Sequence, residues 1–292
     1  MTRALDLHLP IGSHARRLNR LIDHIETHLG DDLCLDKLAE LAAFSPFHLH
    51  RLFRAWTGET LRDFVRRRRL ETAGNRLRYD RELSIGELAH SCGFASAETF
   101  ARAFRQHFGQ TPSSWRQQGG PGASVLPTAL VMAPGAVTLR RLPGRDLLYW
   151  RQQGSYAEVA DPLWARFQPW IAALGLAGQP LLGMGLDDPA VTPAEHCRYD
   201  ACVELPPAWQ ESAGLRPCRK HLAGGWHACL AFEGEASALG GAWTWLTTHW
   251  LPHSGFMAGS SPFFEAYEAG AGRGQGGQLR AALCMPVQPL AR

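Results

Sequence analysis

Between residues 14 and 118, apolar positions recur at helical spacing. Leu18, Leu21, Ile22, Ile25 and Leu29 place a first helix over 14–29, stopped by Gly30. Leu35, Leu38, Leu41 and Ala42 share one face of a short helix over 34–42. Ser45 then caps a helix that has Pro46 in its first turn and runs to about Trp56, with Gly58 as its stop. A long helix over 61–79 carries Leu61, Phe64, Val65, Ala73 and Leu77 as its buried stripe. Helices over 84–91 and 96–108 follow, and Pro112 opens a last turn containing Trp115. Beyond residues 118–128, which carry Gly and Pro without charge, the pattern changes. Strand-like runs appear at Val137–Leu142, Leu147–Gln152, Leu181–Leu186, Tyr199–Leu205, Trp226–Phe232, Phe263–Tyr267 and Leu279–Val287. Two Trp-rich helical runs, about 158–174 and 236–250, interrupt them. The order strand, Gly, helix, two strands occurs twice, with GSYAEV…WIAALG in the first half paralleled by EGEASALG…WLPHSG in the second.

The helical third also repeats internally. Leu33, Leu35, Leu38, Ala39 and Phe44 return as Leu83, Ile85, Leu88, Ala89 and Phe94. After a one-residue slip, Ser45, Leu49, Arg51, Phe53, Gly58 and Thr60 return as Ser96, Phe100, Arg102, Phe104, Gly109 and Thr111. Each copy reads as a short helix, a tight turn and a longer helix, the shape of a helix-turn-helix. In the longer helices His50, Arg51, Glu98 and Arg102 point outward, while Leu49, Leu52, Phe53, Phe100 and Phe104 point inward. The 61–79 helix is about 28 Å long at 1.5 Å per residue. A rod of that length holds two reading helices about 34 Å apart, one turn of B-DNA. A chain with two reading heads needs no second copy, so a monomer is expected.

Charge agrees with this division. Residues 1–120 hold 18 of the 30 Lys and Arg against 14 of the 27 Asp and Glu, so the basic excess lies with the repeat. Arg66–Arg69 resemble a basic patch, but four consecutive helical residues point in four directions. Two are expected at a DNA backbone, the others against carboxylates such as Asp63 or Glu71. Hydrophobic residues make up 45% of the 292, which marks a globular chain. No apolar run is long enough for a membrane span, and no leader pattern opens the chain, so a cytoplasmic location is expected. The seven cysteines are scattered, as reduced, buried thiols would be. Cys197, Cys202, Cys218, His221, His227 and Cys229 lack a paired C-x-x-C knuckle, so no metal site is assigned. Phosphate-loop, dinucleotide and serine-nucleophile motifs are absent, so no cofactor, no catalytic residue and no enzyme activity is assigned.

In FFEAYE, strand alternation turns Phe263, Glu265 and Tyr267 to one side. A carboxylate between aromatic rings suits an organic cation, which it binds by charge and cation–π attraction. Trp150, Tyr156 and Trp226 are the further candidate cleft residues.

Residues 14–118 resemble the AraC/XylS family of transcription regulators. Gly93–Phe94, Ser96, Phe100, Arg102, Phe104, Phe108–Gly109, Thr111–Pro112 and Trp115–Arg116 carry the resemblance. It implies base contacts from Phe47, His50 and Arg51, and from Ala97, Glu98, Ala101 and Arg102. Ala97 and Ala101 replace polar readers, leaving Glu98 and Arg102 to dominate. Residues 135–290 resemble the GyrI-like effector-binding domain, through Gly154–Ser155–Tyr156, Asp187–Asp188–Pro189, Arg198–Tyr199–Asp200, Trp250–Leu251–Pro252, and Pro262 with Phe264–Glu265 and Tyr267. That resemblance implies a cleft for amphipathic or cationic small molecules, with Glu265 as its acidic group. The expected fold is an all-α N-terminal domain (14–118) of two helix-turn-helix units joined by a long helix, a linker (119–133), and an α+β domain (134–290) of duplicated βαββ units. The expected partners are double-stranded DNA, RNA polymerase and a small-molecule effector, without a membrane. Two alternatives stay open: a C-terminal domain acting only through protein contacts, or one that hydrolyses or sequesters a small molecule.

Overall fold

The computed structural model describes residues 13–79, 83–118, 136–210, 217–268 and 278–290. The expected linker, 119–133, lies outside them. The N-terminal region is helical: α1 (Ser13–Thr27), α2 (Leu35–Leu41), α3 (Pro46–Thr57), α4 (Leu61–Tyr79), α5 (Ile85–Ser91), α6 (Ala97–Phe108) and α7 (Pro112–Gln118). Local chemistry sets the boundaries. The Ser45 hydroxyl accepts from His48 N at 3.3 Å and that of Ser96 from Thr99 N at 3.2 Å, each satisfying a free donor at a helix start. Ser84 and Glu87 close a reciprocal cap on α5. Gly58 (φ 82°) and Gly109 (φ 73°) end α3 and α6 in the left-handed conformation that glycine adopts without strain. The turns of the two copies match: Phe44 N donates to Ala39 O and Phe94 N to Ala89 O, both at 2.9 Å.

The helical region has two small cores rather than one. Leu18, Leu21, Ile25, Leu38, Leu49 and Phe53 fill the first, with Leu61, Phe64 and Val65 from the start of α4. Leu88, Phe100, Phe104 and Trp115 fill the second, with Leu70, Ala73 and Leu77 from its end. The stripe on α4 therefore serves both cores, changing partner across Arg66–Arg69.

The C-terminal region is a sheet carrying helices on one face. Its strands are β1 (Val137–Leu142), β2 (Arg145–Gln153), β3 (Leu181–Gly185), β4 (Arg198–Glu204), β5 (Cys218–Leu222), β6 (Gly225–Gly234), β7 (Phe256–Ala258), β8 (Phe264–Tyr267) and β9 (Leu279–Pro289). Their order is β1-β6-β9-β8-β3-β4-β2-β5, antiparallel throughout, and β7 pairs with the end of β9. β1 and β2 are joined by two residues yet do not pair. β1 lies on β6 and β5 lies on β2. The connectors 143–144 and 223–224 touch, and a Cβ on Gly224 would stand 2.8 Å from Leu142 O, which excludes a side chain there. Helix α8 (Tyr156–Ala173) and helix α9 (Leu239–Trp245), the latter continued by a π-helical turn (Leu246–Trp250), cover one face. That face holds the large core, with Leu148, Trp164, Phe167, Tyr199, Leu230 and Leu283. A smaller cluster on the opposite face includes Tyr149, Met184, Cys202 and Phe264. There α1 meets the sheet: the Tyr149 hydroxyl donates to Asp23 at 2.6 Å, and Arg151 joins Asp23 to Asp200.

Candidate nucleic-acid interface and ligand cleft

Helix α3 points Phe47 (72% exposed), His50 and Arg51 into solvent, while Leu49 and Phe53 are fully buried beneath them. The Arg51 guanidinium lies 5.8 Å from the centre of the Phe47 ring, one helical turn away, which steadies the longer side chain. On α6, Ala97, Glu98 and Arg102 are exposed and Ala101 is half-buried, while Phe100 and Phe104 are fully buried. Between the two helix pairs runs an open trough of about 960 Å³ whose walls include His50, Arg62, Arg66 and Arg69.

The arginine run is committed to protein partners more fully than its sequence suggests. Arg67 bridges Glu59 and Glu71. Arg68 meets Glu26, Glu71 and Asp187. Arg69 donates to the carbonyls of Leu29, Asp31 and Gly93, holding together the loops that precede α2 and α6. Arg66, exposed, donates to Gln106. Asp63 accepts from Thr60 instead of an arginine.

On the helix-covered face of the sheet, Glu265 and Tyr267 are each 6% exposed. The Tyr267 hydroxyl donates to Glu265 Oε2. Tyr199 OH stands 3.4 Å from the same oxygen and 3.2 Å from Tyr267 OH, and it accepts from Trp164 Nε1 at 3.1 Å. Trp243 Nε1 donates to Glu265 Oε1 at 3.3 Å, and its ring stacks on Phe263 with centres 5.7 Å apart. The site is thus a buried carboxylate inside an aromatic cage, at the seam between the strands under α8 and those under α9. Among the expected residues, the structure brings Glu265, Tyr267 and Phe263 together. Tyr156 adjoins them, its ring 5.9 Å from that of Tyr199. Trp150 shares a cross-strand row with Glu265 but lies three strands away, about 14 Å at the usual strand spacing, and packs against Phe167 and Trp170. Trp226, 52% exposed, sits at the start of β6 beside the edge strand. Tyr199, Trp164 and Trp243 were not among the expected cleft residues. The Trp-rich helical runs and the Arg-Tyr-Asp at 198–200 were visible, but neither placed its ring beside Glu265.

Among the described residues, no group of three or more His, Cys, Asp or Glu converges as metal ligands would. Burial raises the Cys202 thiol and lowers His227. No described helix is long and apolar enough to cross a membrane.

Residues 38–118 match the model of a helix-turn-helix domain, and residues 136–288 that of the GyrI-like small molecule binding domain. The regulatory protein SoxS of Escherichia coli (strain K12) is 38% identical over 106 residues, covering 36% of this chain and 98% of SoxS. The probable transcription factor PqrA of Proteus vulgaris is 36% identical over 104 residues, covering 35% of this chain and 84% of PqrA. Of solved structures, the DNA-binding domain of AdpA in complex with a target DNA is 26% identical, with a TM-score of 0.33, covering 35% of this chain and 91% of that one. Together the matches show a DNA-binding transcription regulator with a small-molecule-binding domain. The chain belongs to the AraC family of such regulators, and its C-terminal domain is GyrI-like.

Proposed function

We propose that α2–α3 and α5–α6 act as two helix-turn-helix units that enter successive major grooves from one side of the duplex. The matching caps and turns of the two pairs support this, as does the length of α4 between them. Phe47, His50 and Arg51 face one groove, and Ala97, Glu98, Ala101 and Arg102 the next. The C-terminal domain is read as two βαββ units, supported by a strand order that runs edge, β6, β9, β8 on one side and edge, β2, β4, β3 on the other. Its ligand is a small organic cation with an apolar body, and the complex acts as a monomer on promoter occupancy or on RNA polymerase.

One observation carries the ligand reading. A carboxylate, 6% exposed, is bonded by Tyr199, Tyr267 and Trp243, with Phe263 stacked on Trp243. Such a cage attracts cations by charge and by the faces of its rings, and tolerates varied shapes. Tetraphenylphosphonium, a lipophilic cation, is the probe. Titrated into the full chain, it should quench Trp fluorescence and shift operator binding. Glu265→Gln should lower its affinity at least tenfold, about 1.4 kcal/mol, and leave ligand-free DNA binding unchanged. Equal responses in both proteins would favour a domain that acts by protein contacts alone. Release of a cleaved product that stops in Glu265→Gln would favour a hydrolase.

A further inference from the structure

The β3–β4 segment 186–197 touches both the ligand cleft and the rod between the reading heads. Its cleft end begins at β3, whose Gly183 and Gly185 floor the cage. A Cβ on Gly183 would stand 2.8 Å from Glu265 Oε2 and from Tyr267 OH, and one on Gly185 would stand 2.9 Å from the Tyr156 ring. Two residues further on, the Tyr156 hydroxyl clasps the backbone of Asp187, donating to its carbonyl at 2.7 Å and accepting from its N–H at 2.9 Å. Tyr156 in turn packs on Tyr199, which touches Glu265.

The other end is fastened along α4. The Asp187 carboxylate accepts from Arg198 Nε and Nη2 and from the Arg198 N–H, and meets Arg68 of α4 at 2.7 Å. Arg198 also reaches Glu26 of α1 and lies over the Phe64 ring. Asp188 pairs with Arg78, ten residues further along α4, at 2.7 Å. Val191 enters the second helical core beside Leu70, Ala73 and Leu77. His196 lies 3.7 Å from Glu59, just ahead of α4. The segment is thus laid along most of α4, and the residue after Arg68 holds both reading pairs by their loops.

We propose that this segment is the coupling element of the regulator: cleft occupancy moves β3 and Tyr156, Asp187 carries the shift to Arg68, and α4 resets the two recognition helices relative to each other. The proposal rests on the ligand reading above and adds its route to the DNA. A cation at Glu265 must displace at least one of the hydroxyl or indole groups now bonded to that carboxylate. Tyr199 is one of them, and it is two contacts from Asp187. Coupling between two sites is reciprocal, so DNA must act on the cleft as the ligand acts on DNA.

That reciprocity gives a test that needs no ligand. Hydrogen exchange is followed in the full chain, free and bound to a duplex footprinted from genomic DNA. The wild type should change protection in 181–188 and 264–267 on binding DNA, although neither stretch is on the recognition face. Asp187→Asn should bind DNA without that change. Because Asp187 is buried among charges, Val191→Ala serves as a milder second variant and should weaken the same response. With tetraphenylphosphonium, operator affinity of the wild type should shift at least about fivefold, and the shift should shrink in both variants. Unchanged exchange in 181–188 and 264–267 of the wild type on DNA binding overturns the proposal, as does undiminished coupling in both variants. A wild type that shows the DNA-driven change yet ignores the cation defeats the ligand assignment while leaving the route in place.

Discussion

Gly183 lacks a side chain because three polar groups occupy the space one would need. A methyl group there would press on the hydroxyls of Tyr199 and Tyr267 and on Glu265 at once. Gly183→Ala should therefore open the cage from below, lowering tetraphenylphosphonium affinity at least tenfold. The overpacking should cost stability by about 1–3 kcal/mol, read from fluorescence titration and thermal melting of the same samples. On the proposed DNA face the exposed side chains can be replaced one by one. Arg51 and Arg102 stand on the open faces of α3 and α6. Replacing either with Ala should weaken specific binding by about 1–3 kcal/mol, measured by gel shift against a competitor duplex. A loss that is equal on specific and bulk DNA would place these residues on phosphates instead of bases.

At the scale of elements, short helices depend on their ends. α5 has seven residues, too few to be stable alone, and its start is held by the Ser84–Glu87 pair. Ser84→Ala should cost about 1 kcal/mol, seen as a lower denaturation midpoint at unchanged slope. Helices like this were legible because caps and apolar spacing are local: α4 was expected at 61–79 and is found at Leu61–Tyr79. The alternation that turns Glu265 and Tyr267 to one face was legible for the same reason. β5 was not, since Cys218 and Leu222 are buried but Arg219, Lys220 and His221 lie between them, and only the neighbouring β2 makes this a strand. The cage partners of Glu265 were hidden more deeply. Tyr199 is 66 residues away and Trp243 is 22, on different elements, and no spacing rule brings them together. Likewise, nothing in the strand-like runs on either side of 143–144 says that β1 pairs with β6 rather than with β2, a choice made by the whole sheet.

The whole molecule is held by charges that face one another across the contact between its helical and sheet regions. Glu26 and Glu71 from the helices meet Asp187 from the sheet, and Arg68 and Arg198 lie among them, with Arg67, Glu59 and His196 at the margin. Burial alone would raise the carboxyls of Glu26 and Asp187, but Arg198 and Arg68 outweigh it, holding Glu26 at about 2 and Asp187 well below the usual carboxylate range. In the unfolded chain Glu26 returns to its ordinary 4.5 and Asp187 to 3.8. The folded protein thus binds fewer protons than the unfolded chain below about pH 4.5, and its stability must fall as acid is added. The contribution of these groups is complete above that pH and is lost progressively as the pH drops toward 2. Melting temperature should accordingly decline over that range, with little sensitivity to salt, because the pairs are enclosed. Asp187→Asn removes one of the titrating carboxyls, so its melting temperature should start lower at neutral pH and decline less steeply in acid. Arg68→Met should flatten the slope further. It leaves Glu26, Glu71 and Asp187 short of a cation, costs about 3–5 kcal/mol at neutral pH as broken buried pairs do, and recovers part of that loss as acid neutralises the stranded carboxylates. Calorimetric scans of the three proteins between pH 7 and pH 3 would show the curves converging. Parallel curves for all three would mean that the charges across this contact do not govern its strength.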